Sequence, residues 1–195
     1  MPRRIVLTKA GGPNTLAVIP MDMPEPKAGE IRIEVAYAGI NFADLLMRLG
    51  LYQPRPKYPF TPGYEMSGTV DAVGDGVTEF TVGQRVVAGL PNGGQASHVV
   101  VNSERALALP DDVGLDVAAA IPVTYLTAHH MLHHLGHMKE DDSVLIHGGA
   151  GGVGTAALQI CQWAGVSKVW ATASGHKSST IEAYGGVAID RHNED

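Results

Sequence analysis

Gly149, Gly151 and Gly154 are spaced G-x-G-x-x-G within the run Gly149-Ala150-Gly151-Gly152-Val153-Gly154. The chemistry this spacing serves is the seating of a pyrophosphate. Residues 144–146 form a short apolar run that reads as a buried parallel strand. Residues 155–164 supply good helix formers and an apolar face. Glycines between a strand and a helix are the context in which this motif binds a dinucleotide. The first glycine permits a tight turn, the second lets backbone approach the pyrophosphate, and the third lets helix and strand pack closely. Unpaired N–H groups and the positive dipole end of the helix then face the phosphates. The alternative is a glycine-rich turn with no ligand. A second strand, residues 168–173, leads into Ser174-Gly175-His176-Lys177. An NAD site would carry Asp or Glu about twenty residues past the glycines, to accept from the ribose 2′-hydroxyl. No carboxylate stands between Thr172 and Lys177. A hydroxyl and a cation suit a 2′-phosphate through charge-assisted hydrogen bonds. The expected cofactor is therefore NADP(H), with Ser174 and Lys177 as contacts; a solvated loop with an incidental lysine is the alternative.

The elements that must position these residues fall into two textures. Over the first 110 or so positions, β-type runs at residues 3–7, 30–38, 68–73, 84–88 and 96–101 are punctuated by Gly and Pro. Residues 30–35 alternate polar and apolar, as a half-buried strand does. This half reads as a small, irregular all-β unit. Beyond Asp111 the pattern turns helical, at residues 116–121 and 125–135, and the strand–loop–helix unit follows. The boundary falls around residues 121–125. The chain has 195 residues, 45% hydrophobic and 17% charged, with a formal charge of −6, which describes a globular chain with room for one or two domains. The acidic balance argues against nucleic acid or anionic membrane as the main partner. No apolar stretch approaches a membrane span. The N-terminal stretch turns polar at Thr8 and Lys9, unlike a secretory signal. The single cysteine, Cys161, sits in a predicted helix and forms no internal disulfide; a reducing, cytoplasmic setting and a buried apolar role are expected.

Several further motifs occur in order: Gly39-Ile-Asn-Phe-Ala-Asp-Leu-Leu46, Gly50-Leu-Tyr52, Pro62-Gly-Tyr-Glu-Met-Ser-Gly68, Val73-Gly-Asp-Gly-Val77, Val82-Gly-Gln-Arg-Val86 and Ala119-Ala-Ile-Pro-Val-Thr-Tyr-Leu-Thr-Ala128. Together with the glycine loop they resemble the medium-chain dehydrogenase/reductase superfamily, in its zinc-independent quinone oxidoreductase branch, where vesicle amine transport-like proteins are close relatives. The resemblance covers essentially the whole chain. It implies an α/β protein in which a β-rich GroES-like catalytic domain, residues 1–122, precedes the first part of a Rossmann NADP-binding domain, residues 123–195, with the active site in the cleft between them. Family members run longer, so a fragment, a truncated product or one half of a split protein is expected.

The resemblance also assigns residues. Zinc-dependent relatives place Cys near the position of Asn41, His near Tyr64, and a four-cysteine structural loop after the β region. Asn41 and Tyr64 stand in those places, and one cysteine cannot make a Cys₄ site, so no metal is expected. Catalysis is then hydride transfer from NADPH to a quinone or an α,β-unsaturated carbonyl, with the protein orienting the reactants and stabilising charge on the substrate oxygen. Asn41 is expected to position nicotinamide or substrate, and Tyr52 to face the substrate as a donor; the alternatives are a turn residue and a loop aromatic packed beside Pro54. Thr127 matches the family's cofactor-contacting threonine, or else bonds back to a helix carbonyl. Arg191 stands where relatives line the adenosine side; it meets adenine or the 2′-phosphate, or is a solvated loop charge. Asp44 is expected to be structural. His129, His130, His133, His134 and His137 put pairs four apart on a helix, yet complete no metal motif. The expected partner is a small-molecule quinone or enone, with a homodimer or a complementary missing half as protein partner. A family member that binds nucleotide or a partner without turnover is the competing function.

Overall fold

The computed structural model describes residues 1–53 and 55–193. The chain forms two compact units, Met1–Val123 and Thr124–Asp195.

The first unit is built on antiparallel pairing. Strands β1 (Arg3–Leu7) and β2 (Leu16–Pro20) make a two-stranded ribbon. Strands β3 (Glu30–Ala38), β4 (Glu65–Val73), β5 (Arg85–Gly89), β6 (His98–Asn102) and β7 (Ala106–Ala108) form one sheet in the order β6-β3-β4-β5-β7. The alternation in β3 sends Ile31 and Ile33 into the core, fully buried with Met66, Val70 and Val86. Register shifts between Arg32 and Ile33 and between Val35 and Tyr37 bend β3 against β4, as bulges do. Such bending curls the sheet around its own core. Helix α1 (Phe42–Arg48) interrupts the β texture between β3 and β4. Helix α2 (Leu115–Ala118) packs on β3, β4 and β5, where the buried Ser67 hydroxyl donates to the Leu115 carbonyl.

Helix α3 (Pro122–His129) continues into a π-helical turn over His130–Leu135. The second unit then contains β8 (Ser143–His147), α4 (Gly152–Trp163), β9 (Lys168–Ala173), α5 (Ser178–Glu182) and β10 (Val187–Asp190). Its three strands are parallel, in the order β10-β9-β8. That is the 3-2-1 half of a doubly wound nucleotide-binding sheet. One face buries Ile146, Val169 and Ala171 against Leu158, Cys161 and Ile181. Small residues on α4 (Gly154, Ala157, Cys161) let the helix lie close. The other face carries Leu145, Trp170 and Val187 in one row across the three strands; Leu145 is 55% and Val187 56% exposed.

Three strands were not read from the sequence: β2, β7 and β10. Helix α4 opens at Gly152, three residues ahead of its predicted start. Among the described residues no helix is long and apolar enough to cross a membrane.

Candidate functional site

In a parallel sheet all carboxyl ends share one edge, where ligands of such folds bind. β8 ends at His147 and runs into the glycine loop; β9 ends at Ala173 and runs into Ser174; β10 ends at Asp190 and runs into Arg191. The fold therefore brings the glycine loop, Ser174, Lys177 and Arg191 to the same edge. The Arg191 N–H donates to the Ala173 carbonyl at 3.0 Å, and the Lys177 N–H to the Ser174 carbonyl at 2.8 Å. Lys177 and Arg191 are exposed, and Arg191 Nε donates to His192 Nε2 at 3.2 Å.

The glycine loop divides its work differently from the expected assignment. The positive φ, +70°, is at Gly148 rather than Gly149. Gly149 instead serves packing, since a Cβ there would run into the Ala171 side chain. Gly154 serves the same end: its Cβ would overlap the Gly148 carbonyl and the Gly149 backbone. Gly151 caps α4 with extended backbone, and Gly151 and Gly152 are exposed at the helix start. The loop is anchored to β9 through Thr172, whose carbonyl accepts from Gly149 N at 2.9 Å and whose hydroxyl accepts from Gly148 N at 3.2 Å. A cavity of about 430 Å³ lies beside it, lined by Met131, Leu132, Val153 and Ala157 among others.

Two features of this edge escaped the sequence. Thr124 lies against the loop, since a Cβ on Gly152 would lie 3.2 Å from the Thr124 methyl; Thr127 is exposed on α3. The window after β9 holds no carboxylate, but parallel pairing brings Asp190 beside Gly175, where a Cβ would meet its carboxylate. Asp190 is engaged by its own turn, accepting from His192 N at 3.0 Å and Asn193 Nδ2 at 3.4 Å.

The first unit gathers a second cluster. Asn41 caps α1, and its Nδ2 donates to Glu65 Oε1 at 2.7 Å. Asp44, buried one turn on, accepts from Asn41 N at 2.9 Å and Gly63 N at 3.1 Å. Burial pushes its carboxyl up, and those two N–H groups pull it partly back. This is the structural part expected of Asp44. Tyr52 and Tyr64 pack on the small core of Leu7, Met47 and Phe60. Burial first, then Tyr52 and Asp44 nearby, hold the Tyr64 phenol above its ordinary range. Tyr64 is thus a neutral O–H at ordinary pH, and donates to Met47 Sδ at 3.6 Å. Pro54, the packing partner in the alternative reading of Tyr52, lies outside the described residues.

The histidine-rich segment stacks in pairs. His129 and His133 have ring centroids 4.7 Å apart, as do His130 and His134. Among the described residues no three His, Cys, Asp or Glu side chains are grouped to hold a metal ion.

A curled antiparallel sheet carrying a capped Asn–Asp–Glu cluster, followed by a parallel sheet with a glycine loop at its carboxyl edge, defines a class: a GroES-like domain with a Rossmann-type nucleotide-binding unit. Residues 27–111 match the alcohol dehydrogenase GroES-like domain. A zebrafish (Danio rerio) synaptic vesicle membrane protein VAT-1 homolog is 41% identical over 99% of this chain and 40% of its own length. The solved Escherichia coli quinone oxidoreductase complexed with NADPH superposes with a TM-score of 0.89 at 32% identity, over 99% of this chain and 60% of that one. A CurK enoyl reductase gives 0.90 at 36% identity, over 97% and 60%. The chain belongs to the medium-chain dehydrogenase/reductase superfamily, in the branch of the quinone oxidoreductases and VAT-1 homologues. It spans between 40% and 50% of the length of the VAT-1 homologues it matches in zebrafish and human.

Proposed function

We propose that this chain belongs to a zinc-independent oxidoreductase that passes a hydride from NADPH to a quinone or an α,β-unsaturated carbonyl. The observation that carries the reading is the convergence of the glycine loop, Ser174, Lys177 and Arg191 on the carboxyl edge of one parallel sheet. The exposed start of α4 offers N–H groups to the pyrophosphate. Ser174, Lys177 and Arg191 supply a hydroxyl and two cations for the 2′-phosphate, and the relative solved with NADPH supports that choice. When bound, NADPH supplies the hydride. Asn41 then positions the nicotinamide or the acceptor, and Tyr52 donates toward the acceptor's oxygen as charge develops there. Asn41 and Tyr64 stand where zinc relatives keep ligands, which supports metal-free chemistry. The enoyl reductase among the relatives supports an enone as well as a quinone.

Calorimetry of the 195-residue chain with NADPH, and NADH as control, tests the cofactor. Micromolar binding with preference for NADPH is expected; tighter NADH overturns the assignment. Turnover assays with a quinone and an enone follow, using Tyr52→Phe as comparison. A second reading is nucleotide binding without turnover, for which the glycine loop and its sheet edge would suffice. NADPH binding with neither acceptor reduced would select it.

A further inference from the structure

Glu65 is a carboxylate 2% exposed at the start of β4. Its two oxygens meet one donor each. Oε1 accepts from Asn41 Nδ2 at 2.7 Å, and Oε2 accepts from the Val123 N–H at 2.8 Å. Gly39 leaves the room for it, since a Cβ there would overlap the Glu65 side chain. Burying a charge is unfavourable unless it is paired, and two hydrogen bonds to an ionised group offset that cost.

We propose that Glu65 is a positioning residue: it sets which way the Asn41 amide faces. The proposal rests on the reading of Asn41 as a site amide. Its logic is one of donors and acceptors. A carboxylate only accepts, so the Asn41 atom turned toward Glu65 is the nitrogen, and Oδ1 is turned to the Asp44 N–H in the capping box of α1. A glutamine at position 65 has one acceptor for the two donors. Val123 N–H is backbone and cannot turn, so it keeps that oxygen. The glutamine NH₂ then faces Asn41, which must turn its amide over to present Oδ1. A substitution that preserves the shape and both hydrogen bonds of residue 65 thus reverses the Asn41 amide and sets its NH₂ toward the Asp44 N–H that Oδ1 had accepted from.

The test is Glu65→Gln in the 195-residue chain, followed by nitrogen-15 NMR of side-chain amides, with the Asn41 signal assigned by its loss in Asn41→Ala. In the unsubstituted chain one Asn41 Nδ2 proton is expected downfield and protected from exchange. In E65Q that shift and protection are lost, while the backbone spectrum stays native outside the cap of α1 and the Val123 N–H stays protected. With NADPH and a quinone, kcat falls roughly tenfold or more, as misorientation of a positioning group costs, and the KM for NADPH is unchanged. Unaltered Asn41 amide protons in E65Q overturn the proposal, as does an unchanged kcat beside a reversed amide. An unsubstituted chain without turnover counts against the chemistry assigned to Asn41; the amide signals still decide the part played by Glu65. If E65Q fails to fold, Asn41→Asp with Glu65→Gln is the second variant. It keeps both hydrogen bonds with no reversal, so its folding upholds the account and its failure overturns it.

Discussion

Lys177 is the side chain whose loss should separate the two nicotinamide cofactors. It is exposed at the end of a short 3-10 turn that starts beside Ser174, and a 2′-phosphate would meet its charge while a 2′-hydroxyl would not. Lys177→Ala is expected to weaken NADPH roughly tenfold, the size of one lost charge-assisted hydrogen bond, and to leave NADH unchanged; parallel titrations read the difference. The place of Ser174 and Lys177 at the carboxyl edge was legible in sequence because they follow β9 within a few positions. Glu65 was not: it appears in a quoted motif, but its partner Val123 lies 58 residues away, and no local pattern carries that distance. Thr124 and Asp190 were missed for the same physical reason. Helix packing turns Thr124 toward Gly152, and parallel pairing brings Asp190 to Gly175.

At the scale of elements, the junction of β8, the glycine loop and α4 is fixed by close packing. Gly154→Ala places a methyl against the Gly148 carbonyl and Gly149. Overpacking of this kind costs about 1–3 kcal/mol, and here it also displaces the phosphate-binding turn. A lower denaturation midpoint together with lost NADPH binding is expected; native binding with a native midpoint would show that the loop adapts. Cys161, on the buried face of α4, reports on the same helix. Burial pushes its thiol up. Its folded pKa is raised, so its contribution to stability is full below the unfolded thiol's range and is lost as pH rises through it. Thiol reagents should label native protein slowly at pH 8 and unfolded protein at once; rapid native labelling would mean that α4 opens. The major strands were readable from alternation and from Gly and Pro punctuation. β7 is three residues long, β2 ends in Pro20, and β10 has four residues; such short edges take their form from the neighbour they pair with. The early start of α4 has a similar cause. Gly152 and Gly154 are poor helix formers, and their helical state follows from the packing of the loop on β9.

For the molecule as a whole, the two units differ in how far the chain must travel to close its contacts. In the first, β3 pairs with β6, so Glu30 meets Asn102 across most of the unit's length. In the second, Ser143 meets Lys168 after a single helix. Distant pairings must overcome loop-closure entropy before they are rewarded, and they slow folding. Both tryptophans, Trp163 and Trp170, lie in the second unit, so their fluorescence follows that unit alone. In stopped-flow refolding, tryptophan emission should recover in an earlier phase than the far-ultraviolet signal dominated by the antiparallel sheet; a single shared rate would mean that the units form together. Strand order thereby becomes a clock. For an interval after dilution from denaturant, the chain would have its nucleotide edge assembled while its antiparallel sheet was still forming, and NADPH added in that interval should be captured before Asn41 and Glu65 have met.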